Sequence, residues 1–214
     1  MTSFQLFVFD FDGTLVDTQK DIVDSVNRAL AELGLETRGR ETLFTFIGKG
    51  VNHLMTRALE GTGCGDVPRA VDAFMRHYEE HLMDQTDLFP NCRETLDHFS
   101  GKPKTILSNK PTRFITRILD ALDCRTPFAT IIGGDLMAAK KPDPAGLHHI
   151  MEQHRVRPEE TLMVGDSLVD IETGKRAGVP TCGVTYGHAG RAALETVQPD
   201  WIIDDLSEFK QHFQ

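Results

Sequence analysis

The sequence predicts an α/β protein, a Rossmann-like parallel sheet core with an inserted helical cap domain. Three observations carry that expectation. Short continuous apolar runs end in acidic, glycine or serine residues, helical patterns alternate with them, and one connection is too long to be a simple crossover. A continuous apolar run suits a strand buried on both faces, and its alternation with helices is the signature of a parallel sheet.

In chain order, Leu6-Phe7-Val8-Phe9 forms the first strand and ends at Asp10. Ile22, Val26, Ala29, Leu30 and Leu33 then recur at helical spacing, and so do Val67, Ala70, Val71, Phe74, Met75, Tyr78 and Leu82. Gly34, Gly39 and the loop Gly61-Thr62-Gly63-Cys64-Gly65 cut this stretch into about three or four helices. The second strand, Lys104 to Leu107, ends at Ser108-Asn109-Lys110 and is followed by the helical pattern Phe114, Ile115, Ile118, Leu119 and Leu122. The third, Thr161 to Val164, ends at Gly165-Asp166-Ser167 and leads into Leu168, Ile171 and Ala177. The fourth, Thr181 to Thr185, ends at Tyr186-Gly187-His188. A parallel crossover needs roughly a dozen residues. The interval from Asp10 to Ser108 is far longer, so residues 16–84 are assigned to the helical cap, and residues 1–15 with 85–214 to the core.

A chain of 214 residues allows one domain, or one domain with a sizeable insertion. Hydrophobic residues at 40% and charged residues at 26% fit a folded globular protein. The net charge of −9 repels a phosphate-dense polymer, so nucleic acid is excluded as the main partner. No apolar run is long enough to span a bilayer, and the opening MTSFQLFVFDFDG has neither a basic segment nor a cleavage site. A cytoplasmic location without membrane attachment is expected. The four cysteines are scattered and read as reduced packing residues. A monomer and a homodimer are equally compatible with the sequence.

Chemistry concentrates at the strand ends. Asp10-Phe11-Asp12-Gly13-Thr14 sets two carboxylates at i and i+2, on the same side of an extended chain, where they are expected to converge. In a parallel sheet all carboxyl ends share one edge, and ligands bind in the crevice there. Asp10 and Asp12, Ser108 and Lys110, and Asp166 and Asp170 should therefore meet. Crowded carboxylates must take up protons or a cation. A divalent ion is the simpler solution, and an oxygen-rich set without cysteine or histidine in the motif suits Mg²⁺ better than Zn²⁺.

On these residues the chain resembles the haloacid dehalogenase-like hydrolase superfamily. Its phosphatase motifs stand here in order as Asp10 to Thr14, Ser108, Lys141-Pro142 and Gly165-Asp166-Ser167-Leu168-Val169-Asp170. Within that group the nearest likeness is to phosphoglycolate phosphatases, from Leu15-Val16-Asp17-Thr18 and the cap segment Ile47-Gly48-Lys49-Gly50-Val51. The resemblance implies hydrolysis of a small phosphorylated metabolite, with 2-phosphoglycolate favoured, through an aspartyl phosphate. Chemistry supports that route, because a phosphate monoester resists water strongly and a covalent intermediate splits the reaction into two easier steps.

The roles implied are specific. Asp10 is the nucleophile, and Asp12 protonates the departing alcohol and then takes a proton from the attacking water. Mg²⁺ is held by the carboxylates of Asp10 and Asp166 and the backbone carbonyl of Asp12, with Asp170 orienting a metal-bound water. Ser108 and the backbone amides around Asn109 and Gly13 bond phosphoryl oxygens, while Lys141 supplies positive charge to the transition state. The cap excludes water and contacts the rest of the substrate, with Lys49 placed to meet a substrate carboxylate.

Other readings share parts of this pattern. A sugar-phosphate mutase would keep every core residue and differ in the cap, and a non-catalytic binding protein could retain the scaffold. A phosphonate hydrolase would need Lys20 or Lys49 buried as a Schiff-base lysine. His77-Tyr78-Glu79-Glu80-His81 matches a metalloprotease pattern in letters, but its apolar neighbours Phe74, Met75 and Leu82 read as an ordinary packed helix with a hydrated face.

Overall fold

Alternation along the first strand sets up the core. Leu6 and Val8 point to one face of the sheet and join Leu107, Leu147, Ile150 and Met163. Phe7 and Phe9 point to the other and join Phe99, Ile106, Leu162 and Phe209, with the Phe7 ring edge-on to Phe99 at 5.0 Å and to Phe209 at 5.2 Å. The structure, a computed structural model, describes residues 2–214.

The strands are β1 (Leu6–Phe9), β2 (Val16–Asp17), β3 (Asp87–Leu88), β4 (Lys104–Leu107), β5 (Phe128–Ile132), β6 (Thr161–Gly165), β7 (Thr181–Val184) and β8 (Trp201–Ile203). Six of them form a parallel sheet in the order β5-β4-β1-β6-β7-β8. The helices are α1 (Gln19–Glu32), α2 (Arg40–Phe44), α3 (Val51–Leu59), α4 (Val67–His81), α5 (Cys92–His98), α6 (Thr112–Ala121), α7 (Ala145–His154), α8 (Leu168–Ala177), α9 (Gly190–Thr196) and α10 (Phe209–His212). The four strands expected from sequence are β1, β4, β6 and β7, the contiguous centre of the sheet. The outer strands β5 and β8 were not anticipated. β5 is mostly half-buried, and β8, though apolar, is three residues long with two of them half-buried, so neither has the full burial on both faces that marks the others.

Between β2 and β3 the chain makes the four helices α1–α4. β2 and β3 pair antiparallel, Val16 with Leu88 and Asp17 with Asp87, so the chain leaves and returns side by side. Just beyond, buried Asp21 accepts hydrogen bonds from the Gln85 amide at 2.9 Å and the Thr86 hydroxyl at 2.8 Å, tying the start of α1 to the exit from α4. The helices pack through the stripes read from sequence, Ile22, Val26, Ala29 and Leu30 of α1 against Ala70, Phe74 and Tyr78 of α4, and buried Ala73 joins them. Among the described residues no helix is long and apolar enough to cross a membrane.

Candidate active site

With β1 between β4 and β6, and β7 beside β6, the loops after these four strands open on one sheet edge. Those loops carry Asp10 to Thr14, Ser108 to Lys110, Asp166 to Asp170, and Tyr186 to His188.

Asp10 is buried at the end of β1. Its backbone amide donates to the Val164 carbonyl at 2.8 Å, and its carboxylate accepts the Phe11 amide at 2.6 Å and lies 2.9 Å from the Lys141 ammonium. Lys141 also reaches Asp170 at 2.5 Å. The other Asp170 oxygen accepts the Ser167 amide at 3.0 Å and hydroxyl at 2.6 Å, which closes a capping box at the start of α8. Asp170 is therefore fixed by its own helix while it faces the lysine. Asp166, at the end of β6, accepts the Thr14 hydroxyl at 3.2 Å and both the amide and Nδ1 of His188 at 2.6 Å. One carboxylate oxygen each from Asp10, Asp166 and Asp170 can be chosen so that all three lie within 4.8 Å of one another, and all three residues are buried.

Electrostatics follow from this crowding. Burial, then the charge of Asp170, raises the Asp10 carboxyl to about 7, against the opposing pull of Lys141. Burial alone would pull the Lys141 ammonium down, but Asp10 and Asp170 hold it above its usual range. Burial works against ionisation of Asp166, yet the contact with His188 outweighs it and leaves the carboxyl below its ordinary value. His188 is raised to about 9 by Asp166, although burial acts in the opposite direction. Three buried carboxylates beside a single lysine and one histidine make a site rich in oxygen donors and in negative charge. That composition fits a small, hard divalent cation bound by carboxylates.

Two glycines permit this packing. Gly13 has a φ of +85°, and a Cβ there would fall 2.2 Å from His188 Nδ1 and 2.3 Å from an Asp166 oxygen. A Cβ on Gly165 would stand 2.3 Å from the Asp170 Cβ, so the glycine of the Gly-Asp-x-x-x-Asp motif lets the second aspartate approach the strand.

Asp12 departs from the expected convergence. It lines the same cleft as Asp10, but its carboxylate accepts the Thr18 hydroxyl at 2.5 Å and pairs with the Lys110 ammonium at 2.9 Å. It stands outside the trio of clustered acids. The reason is local: the Phe11 carbonyl accepts the amides of Leu15 and Val16, so the chain turns as it leaves β1 and strand alternation no longer applies. The same turn engages the Gly13 amide, expected to face a phosphoryl oxygen, which donates to the Val16 carbonyl at 3.0 Å.

Ser108 and Asn109 are buried and line the cleft. The Asn109 side chain donates to the carbonyls of Gly48 and Lys141, each at 3.0 Å, and accepts the Lys141 amide at 2.9 Å. It joins the loop between α2 and α3 to the backbone of the catalytic lysine candidate. Lys49, in that loop, is exposed, and the cleft is lined by Gly48 and Gly50 on either side of it. Lys140 is also exposed. His77 and His81 bond Glu32 and Asp84 at 2.9 and 2.8 Å on the surface of α4, as a hydrated helix face would.

Three participants escaped the sequence reading. His188 stands at the end of β7, where the shared-edge argument that gathers Ser108 and Asp166 applies equally to it. Lys110, expected at the edge by its place after β4, is buried against Asp12 with its ammonium 2.6 Å from the Tyr78 hydroxyl. Burial pulls that ammonium below its usual range and Asp12 opposes the shift. Tyr78 read as packing, which its stacking on Phe74 and edge contact with Phe114 bear out, but its hydroxyl also reaches the site.

Comparison with known proteins places this geometry. The chain is 36% identical over 217 residues to the phosphoglycolate phosphatase of Haemophilus influenzae, covering 97% of each. It is 38% identical over 210 residues to that of Pseudomonas syringae, covering 94% of this chain and 77% of the relative. A crystal structure described as a predicted phosphoglycolate phosphatase from Haemophilus somnus superposes with a TM-score of 0.94 at 32% identity, over 99% of both chains. Residues 7–184 match the family of haloacid dehalogenase-like hydrolases, and that span holds every acid of the cluster together with Ser108 and Lys141. With both family match and relatives spanning most of its length, the chain belongs to the haloacid dehalogenase-like hydrolase family.

Proposed function

We propose that the protein is a Mg²⁺-dependent phosphatase of a small phosphorylated metabolite, with 2-phosphoglycolate as its preferred substrate and an aspartyl phosphate on Asp10 as its intermediate. The observation that carries this reading is the position of Asp10, a buried carboxylate at a cleft-facing strand end, within 2.9 Å of a lysine and clustered with two further acids. The phosphoglycolate phosphatases similar over nearly the whole chain support the substrate.

In this reading Asp10 attacks phosphorus and Lys141 balances charge on the phosphoryl oxygens. Ser108 and the loop at Asn109 hold those oxygens. Asp12, steadied by Thr18 and Lys110, gives a proton to the leaving oxygen and recovers one from the water that hydrolyses the acyl phosphate. Asp10 and Asp166, with the Asp12 carbonyl, would hold Mg²⁺, and Asp170 would orient its water. The ion's contribution is to neutralise charge on the nucleophile and phosphoryl oxygens. Residues 16–84 serve as the cap that shields the reaction from bulk water.

The test is an acid quench of enzyme mixed with radiolabelled substrate and Mg²⁺. Label is expected on the peptide containing Asp10, and Asp10→Asn should abolish both labelling and turnover. Full turnover in Asp10→Asn, or activity that resists EDTA, would overturn the proposal.

A further inference from the structure

We propose that Lys110, assisted by the Tyr78 hydroxyl, recognises a carboxylate carried on the leaving group and so sets the choice among phosphate monoesters. This inference rests on the phosphatase reading above and names its specificity residue.

Beyond Asp12 the cleft wall is apolar, made by Ile22, Ile47, Val51, Leu54, Phe74 and Phe114. An anion set against such a wall is costly unless a cation meets it. Lys110 lines the same cleft and brings that cation, whereas Lys49 lies outside the lining. An ammonium has three N–H donors. Among the described residues Lys110 Nζ uses two, on Asp12 at 2.9 Å and on Tyr78 at 2.6 Å, which leaves one for a ligand. The ammonium also sits 4.4 Å from the centre of the Tyr78 ring, in low-dielectric surroundings where an added charge pair interacts strongly.

The position also selects the substrate's shape. Lys110 shares the carboxylate of Asp12, the group assigned to protonate the ester oxygen, so it stands one hydrogen bond away from that oxygen's partner. A carboxylate on the carbon next to the ester oxygen falls within its reach. One carried several carbons further on would run past it into the apolar wall. The ligand class that fits is the phosphate ester of a short 2-hydroxy acid.

The experiment compares kcat/KM for 2-phosphoglycolate and for ethyl phosphate, whose leaving group lacks the carboxylate, with Mg²⁺ present. The wild-type ratio is expected to be about a hundredfold or more, as for a site built around a polar group of its substrate. Lys110→Met should slow both esters, because Asp12 loses its partner, and bring the ratio to within about threefold of unity, with Lys110→Arg retaining part of the preference. Tyr78→Phe, which leaves the Asp12 pair intact, should cut the ratio several-fold and serves if Lys110→Met folds poorly. Hydrolysis of neither ester by the wild type would remove the phosphatase reading, whereas a wild-type ratio near unity would leave that reading standing and remove both the preferred substrate and this inference. A high ratio that survives Lys110→Met and Tyr78→Phe, or that collapses in Lys49→Ala instead, overturns this inference alone.

Discussion

Lys141 sets its ammonium 2.9 Å from a carboxylate oxygen of Asp10, and both groups are buried. The same ammonium holds Asp170, so removing it leaves a nest of carboxylates with little to offset them. Breaking a buried pair by deleting one partner costs about 3–5 kcal/mol. Lys141→Ala is therefore expected to lower the free energy of unfolding by an amount of that order, measured in urea. Its kcat/KM should fall by about 10²–10³, the usual effect of losing a charge that faces the transition state. A variant that keeps its unfolding midpoint while losing activity would show that the pair serves chemistry alone.

A divalent cation should relieve the same crowding. Burial and the Asp170 charge raise Asp10 to about 7 in the metal-free chain, above its ordinary 3.8. An acid whose pKa is higher folded than unfolded favours the unfolded state progressively as pH rises between the two values and by a constant amount above them. The metal-free protein should lose stability from pH 4 to about pH 7, while saturating Mg²⁺ reverses the trend by favouring the ionised cluster. At a hundredfold excess over its dissociation constant the ion should add about 2.7 kcal/mol. Thermal unfolding with EDTA and with Mg²⁺ across this range checks the sign, and Asp166→Ala should remove most of the stabilisation by metal.

Gly13→Ala tests how tightly the acids are packed. The added methyl would meet His188 Nδ1 and Asp166 at less than ordinary contact distance, on a backbone whose φ of +85° disfavours any side chain. Both effects act in the same direction. We expect a loss of at least about 1–3 kcal/mol in stability, the range for strained backbone positions, and near-complete loss of turnover. A variant with wild-type activity would mean that the loop after β1 moves freely during the reaction.

How much of this was legible in the sequence depended on whether a residue's role was local or collective. The central strands β1, β4, β6 and β7 announce themselves because each is a short run, buried on both faces, that ends in an acidic, serine or glycine turn, and their shared edge then gathers Asp10, Ser108 and Asp166 without further information. The edge strands β5 and β8 lack that pattern. Asp170 was readable from its spacing to Asp166 in the Gly-Asp-x-x-x-Asp pattern, which sets it in the first turn of the helix that follows the strand end. The direction of the Asp12 carboxylate was not, because it depends on a turn closed by backbone hydrogen bonds to Phe11. Nor was the pairing of Lys110 with Tyr78, which joins residues from separate helical and sheet segments and appears only when α4 is docked on the sheet edge.

Asn109 gives the last prediction, because its side chain holds both the Gly48 carbonyl and the Lys141 backbone. Asn109→Ala removes all three hydrogen bonds and leaves buried backbone groups to find other partners. Asn109→Asp is more selective: it keeps an acceptor for the Lys141 amide but replaces the donating amide with a carboxylate oxygen facing two carbonyls. If the role of Asn109 were only to support Lys141, the bond retained from the Lys141 amide would offset the repulsion from the Lys141 carbonyl, and the aspartate would be no worse than the alanine. If it also joins the Gly48 loop to the core, the added repulsion from the Gly48 carbonyl should make the aspartate variant more impaired than alanine. We expect the latter, with kcat/KM reduced by about 10–100-fold in each and KM rising more in Asn109→Asp, as an interaction worth about 1.4–2.7 kcal/mol would give. Steady-state kinetics on the Mg²⁺-loaded enzyme, with unfolding curves to separate stability from turnover, decides between the two.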